Sequence, residues 1–115
     1  MFKMLHLMNS AMMPTPGLTY RLRQIDEKEA RKIFHKHKRY GWKSYIGYPN
    51  TAKVASEVLG TEVLISREQT FVEPGDVMLI LKLRYRVTAP GQKALGKLGT
   101  SPEEFEWLVC EVSEG

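Results

Sequence analysis

The stretch Tyr45-Ile46-Gly47-Tyr48-Pro49-Asn50-Thr51-Ala52-Lys53-Val54-Ala55-Ser56-Glu57-Val58-Leu59-Gly60 decides how the chain is organised. It reads as the end of a strand, a tight turn at Gly47, and then a helix with a marked start and stop. Pro49 suits the first turn of a helix, where its missing N–H removes no helical bond. Asn50 and Thr51 add polar groups at the same end, and Gly60 can take the left-handed conformation that closes a helix. Val54, Val58 and Leu59 recur at helical spacing and form one apolar face. The helix N-terminus beside the strand-to-helix turn presents free backbone N–H groups, which suit an anion, most commonly phosphate. A capped surface helix that binds nothing carries the same signature, so this stretch speaks to architecture before function.

Upstream, residues 4–8 form a mostly apolar run that reads as a buried strand, ended by Asn9 and Ser10. Pro14, Pro16 and Gly17 make residues 11–17 a loop. Residues 18–22 alternate apolar and polar and read as a second strand. Asp26 then opens a first helix, with Glu29 in the third-position carboxylate place of a capping box. Ala30, Ile33 and Phe34 supply its buried stripe. Its end is strongly basic: Arg31, Lys32, His35, Lys36, His37, Lys38 and Arg39. Cations suit a helix C-terminus because the dipole is negative there, and a solvated face accounts for others. A nucleic-acid surface is the alternative. His35 and His37, two apart on a helix, point to different sides, which argues against a metal pair. Tyr40-Gly41 breaks the helix, and residues 42–46 form a third strand leading into the opening stretch.

Downstream, residues 61–65 read as extended, Ser66-Arg67-Glu68 interrupts, and residues 69–72 resume. Pro74-Gly75-Asp76 places proline and glycine where a type II turn wants them. Residues 77–87 are the longest strand candidate, a continuous apolar run that becomes alternating, with Lys82, Arg84 and Arg86 on one side. A buried central strand whose end emerges at a cleft has this pattern, and so does an exposed sheet face. Residues 88–99 form a polar loop, either a lid or a connector. Ser101-Pro102-Glu103-Glu104 is a helix-start signal that gives one helical turn with Phe105. Residues 106–112 alternate as a final strand.

A chain of 115 residues makes one domain with a core of its own. The lone cysteine, Cys110, cannot form an internal disulfide, so a reducing compartment is expected. Its apolar surroundings suit packing better than nucleophilic work. No apolar run approaches the roughly 20 residues of a membrane span, and no signal-peptide pattern appears, so cytoplasm is the expected location. The net charge of +4 favours an anionic partner, though modest basicity also serves solubility. There is no nucleophile-elbow serine, no His/Cys metal cluster and no glycine-rich nucleotide loop. The only histidines are His6, His35 and His37, none in a loop suited to acid–base work. Neither cofactor nor metal is expected. Helix N-terminus, hydroxyls and cations bind phosphate and offer little proton chemistry.

An ordered set of features carries a resemblance. Asn9-Ser10 follows a first strand; Ile46-Gly47 precedes Thr51-Ala52 on a helix ending Leu59-Gly60; Arg67 follows; then come Pro74-Gly75-Asp76 and a strand ending Tyr85-Arg86. This order resembles the small-protein family of archaeal viruses and phages that includes the viral type III anti-CRISPR ring nuclease, from about residue 4 to Val87. The resemblance implies an α+β domain with a mixed sheet of about five strands flanked by helices. It also implies a homodimer, with cyclic tetra-adenylate in a symmetric pocket at the dimer interface and cleavage without metal.

By the same resemblance, Ser10 matches a pocket hydroxyl, Arg67 a basic residue after the motif helix, and Arg86 the arginine that engages the scissile phosphate. Together with the helix end and strand cations read above, the candidate ligand set is Asn9, Ser10, Gly47, Tyr48, Pro49, Asn50, Thr51, Arg67, Arg84 and Arg86. Two positions depart from the nuclease pattern. Tyr48 stands where the family's catalytic histidine follows the glycine, and Thr88 stands in place of a glutamate. An unperturbed phenol, with a pKa of about 10, is a poorer general acid near neutral pH, and losing one such group typically costs roughly 10²- to 10⁴-fold in rate. The expectation is therefore a dimeric protein that binds a cyclic oligonucleotide messenger and sequesters it, with Tyr48 or Trp42 placed to contact its bases. A ring nuclease using Tyr48 and a basic DNA- or RNA-binding protein are the alternatives.

Overall fold

The computed structural model describes residues 4–10, 15–83 and 104–115. Five strands form one sheet in the order β2-β5-β4-β1-β3: β1 (Leu5–Met8), β2 (Leu18–Ile25), β3 (Trp42–Ser44), β4 (Val77–Leu83) and β5 (Phe105–Glu114). The sheet is mixed. β1 pairs in parallel with both β3 and β4, while β5 runs antiparallel to β4 and β2. The carboxyl ends of β3, β1 and β4 therefore share one edge of the sheet, the place where open α/β sheets put their ligands. Helices α1 (Glu27–His37) and α2 (Pro49–Leu59) complete a single α+β domain.

Alternation along each strand makes two cores. Leu5 and Leu7 of β1, Leu79 and Leu81 of β4, and Trp107 and Val109 of β5 point to one face, where Phe34 of α1 and Val54, Val58 and Leu59 of α2 cover them. Met8, Met78, Ile80, Leu108 and Cys110 point to the other, together with Val72 from an irregular segment. Fully burying one such aliphatic side chain stabilises by about 1.5–3 kcal/mol, so both faces hold the sheet in register. Cys110 is fully buried, and burial pushes its thiol pKa up, as a packing residue requires.

The caps follow from local chemistry. Asp26 accepts the Glu29 N–H at 2.7 Å. The Glu29 carboxylate pairs with Arg23 at 2.8 Å. After His37 the chain tightens into a 3₁₀ turn, Lys38–Tyr40, and leaves through Gly41 at φ 107°. Gly60 closes α2 in the left-handed conformation at φ 71°. Pro74 and Gly75, the latter at φ 97°, form the expected turn, with the Asp76 N–H donating to the Glu73 carbonyl at 3.0 Å.

Several expectations need correction. β2 continues to Ile25, because its whole length pairs with β5, and β3 stops at Ser44. Residues 61–73 contain no strand. Their backbone groups find partners outside any ladder: Val63 N–H on Ser56 Oγ, Ser66 N–H on the Ile46 carbonyl, and Val72 on Thr15 Oγ1. Among the described residues β5 is the longest strand, although β4 does occupy the centre of the sheet. Lys82 does not stand free for a ligand, because it pairs with Glu106 at 3.1 Å on the adjacent strand. Phe105 begins β5 instead of ending a helical turn. Arg84, Arg86, Thr88, the loop of residues 88–99 and Ser101 to Glu103 lie outside the described residues.

Candidate ligand-binding cleft

A cleft of about 730 Å³ opens at the carboxyl ends of β1 and β3. Met8, Asn9 and Ser10 enter from β1. Tyr45, Gly47 and Tyr48 enter from the β3–α2 turn, and Ser66 to Thr70 close the far wall. The turn is pinned from both sides. Asn9 Oδ1 accepts the Gly47 N–H at 3.2 Å, and Arg67 Nε donates to the Gly47 carbonyl at 3.1 Å. Glycine leaves room here for the close approach of Arg67. A Cβ at Gly47 would sit 3.2 Å from Arg67 Cγ, although Gly47 has no positive φ.

Arg67 lies along the rim, exposed, with Nε committed to the turn and its two terminal nitrogens left as donors. Glu68 beside it is paired with Lys43, and that hydrogen bond raises the Lys43 pKa against the opposing effect of desolvation. Tyr48 is the N-cap of α2 but makes no capping bond with its side chain. The first helical bond runs from Ala52 N–H to the Tyr48 carbonyl at 3.0 Å. The Asn50 and Thr51 N–H groups are thus the orphan donors of this helix end. A cation and helix-end amides beside one cleft suit a phosphodiester.

Of the residues singled out in the sequence, Asn9, Ser10, Gly47, Tyr48 and Arg67 meet in the cleft. Pro49 and Asn50 are exposed at the helix end outside its lining, and Thr51 is buried. Trp42 lies away from it, edge-on to Phe34 at 5.1 Å and packed on the helix-covered face. Sequence reasoning missed Tyr45, which lines the floor, and the wall residues Glu68 to Thr70. The polar triplet Ser66-Arg67-Glu68 was the available signal, because it breaks an otherwise apolar run. His6 was passed over as a strand residue. It is buried under the floor, with Nε2 at 3.0 Å from Asp76 Oδ2 and its ring stacked on Tyr45. Among the described residues no group of three or more His, Cys, Asp or Glu side chains gathers as a metal site. No described helix is long and apolar enough to cross a membrane.

The sequence matches the STIV B116-like family over residues 5–106. The chain belongs to that family. It is 28% identical over 112 residues to Uncharacterized protein 26 of Sulfolobus islandicus filamentous virus (isolate Iceland/Hveragerdi), covering 95% of this chain and 87% of the relative. Its fold is similar to that of B116 of Sulfolobus turreted icosahedral virus (STIV), with a TM-score of 0.68 at 15% identity over 93% of this chain and 97% of the other. These comparisons place the chain among small archaeal viral proteins, and the last of them speaks to fold alone.

Proposed function

We propose that this STIV B116-like chain binds a cyclic oligonucleotide messenger, cyclic tetra-adenylate foremost, and sequesters it as an anti-CRISPR sponge. The observation that carries the reading is the latch of Arg67 on Gly47, which holds a guanidinium at the rim of a cleft lined by Asn9, Ser10 and Tyr48. Tyr48 of the cleft lining, and Leu64, Ile65 and Phe71, which flank the wall segment in sequence, are exposed apolar or aromatic residues. A homodimer that buries them would bring a second set of cations to the same ligand. Histidine is absent from the described lining, which favours retention over turnover. Tight binding alone lowers free messenger when protein exceeds ligand.

The exposed Tyr48 phenol supports a second reading, a metal-independent ring nuclease. The exposed cations Lys32, Lys36, Lys38 and Arg39 near the end of α1 support a third, a DNA- or RNA-binding protein. One experiment separates them: purified protein with labelled cyclic tetra-adenylate, followed by native gel and by chromatography of the nucleotide. A shifted complex that releases intact ring on heating is the expected result. Linear dinucleotides that disappear in Tyr48→Phe would establish the nuclease. No complex with the ring, together with duplex binding that falls steeply with salt, would establish the third reading.

A further inference from the structure

Resting on the ring-nucleotide reading above, we propose that Tyr45 is a base-contacting, specificity-determining residue of the cleft and that the buried His6–Asp76 pair positions its ring. Tyr45 lines the cleft floor directly after β3, and its N–H donates to the Leu7 carbonyl at 2.7 Å, which ties its backbone to β1. Its ring stacks on the His6 imidazole, with centroids 5.5 Å apart and planes inclined by 21°. The Lys43 ammonium lies 5.5 Å from the same ring. A phenol held in this way is a rigid aromatic group in a cleft whose rim carries the Arg67 cation.

The support beneath it is costly to folding and therefore informative. His6 is only 2% exposed, and Asp76 5%. Asp76 Oδ2 accepts from His6 Nε2 at 3.0 Å and from the Glu73 N–H at 2.9 Å, while its backbone carbonyl accepts the Val112 N–H at 3.1 Å. The imidazole cannot turn without breaking a buried bond to a carboxylate that is itself fixed. His6 Nδ1 and Asp76 Oδ1 are buried with no hydrogen-bond partner among the described residues. An apolar pair would fill this site without stranding those atoms. What histidine adds is a flat ring, locked in plane by Asp76, under the face of Tyr45. Aromatic side chains next to cations receive nucleobases by stacking, and a purine offers more stacking surface than a pyrimidine. Stacking of this kind tolerates every base, so the arrangement favours purines only through their stronger stacking.

The test is calorimetric titration with cyclic tetra-adenylate and cyclic tetra-uridylate. Wild type prefers the adenylate ring. Tyr45→Leu loses about tenfold or more in adenylate affinity, as expected for one stacked base, and less for the uridylate, so the preference shrinks. Tyr45→Phe keeps it. His6→Gln, which keeps a donor for Asp76 and removes the flat ring, shrinks the preference in the same way. A merely structural role would weaken both rings alike and leave the ratio unchanged, which overturns the proposal. Should Tyr45→Leu not fold, the wild-type Tyr45 ring resonances, assigned with Tyr45→Phe, must shift on adding the adenylate ring; unmoved signals overturn it as well. If wild type binds neither ring, the underlying reading fails with it. If wild type binds and Tyr45→Leu binds equally, only this proposal fails.

Discussion

Gly47→Ala separates the stability of this protein from the ligand binding proposed for it. The added methyl would meet Arg67 Cγ at 3.2 Å, Nε at 3.6 Å and Cδ at 3.9 Å, all atoms of one exposed side chain. Gly47 does not need a positive φ, so alanine fits its backbone. Losing glycine freedom in the unfolded chain stabilises by about 0.4–1 kcal/mol. Displacing Arg67 removes its hydrogen bond to the Gly47 carbonyl, worth about 0.5–1.5 kcal/mol at most. The two nearly cancel, and the melting temperature stays within about 4 °C of wild type. Binding does not cancel. An arginine that swings off the cleft rim forfeits charge-assisted bonds to phosphate worth about 1.5–3 kcal/mol, or roughly 10- to 150-fold in affinity. Calorimetric melting and titration with cyclic tetra-adenylate on the same sample measure both. Arg67→Ala should give the same affinity loss, and the double variant no further loss. Wild-type affinity in Gly47→Ala would refute the role given to the latch, and a melting temperature lowered by about 10 °C would refute the claim that Arg67 can move aside.

Asp26→Ala removes the N-cap of α1 and should destabilise by about 1 kcal/mol in urea unfolding, with the slope unchanged and ligand affinity untouched. Cys110, buried and with its thiol pKa raised by burial first and Glu111 second, should resist a thiol reagent in the native state and react in step with unfolding; rapid labelling of folded protein would contradict its packing role. His37 has its pKa lowered from 6.5, by desolvation and then by Lys36, so the unfolded chain takes up the proton first. Its effect is absent above the unfolded pKa, and stability falls as pH drops below about 6.5 toward the lower folded value. His37→Gln should flatten that acid limb in urea midpoints measured between about pH 7.5 and 5, and an unchanged limb would assign it to other groups.

Local chemistry by itself determined the helices and turns. Asp26 before its apolar stripe, Pro49 and Gly60 around theirs, and Pro74-Gly75 each act on atoms within a few residues, so their effect is written in the neighbouring sequence. The central β4 was legible from its continuous apolar start, but β5 was expected to alternate, whereas Trp107 to Cys110 are all buried because both faces of the sheet are covered there. Gly47 was legible as the strand-to-helix turn, while Asn9, Ser10 and Arg67 were drawn to the same site only by the family resemblance. Only the tertiary structure decided the rest. Residues 61–65 and 69–72 have strand-like composition, yet a strand exists only when a neighbour accepts its backbone bonds, and here those bonds go to Ser56, Ile46 and Thr15. Likewise Asn9 reaches Gly47 across 38 positions, and His6 reaches Asp76 across 70. Such pairs depend on which strands lie side by side, and strand order follows from burying both faces of the whole sheet, an energy that no short stretch contains.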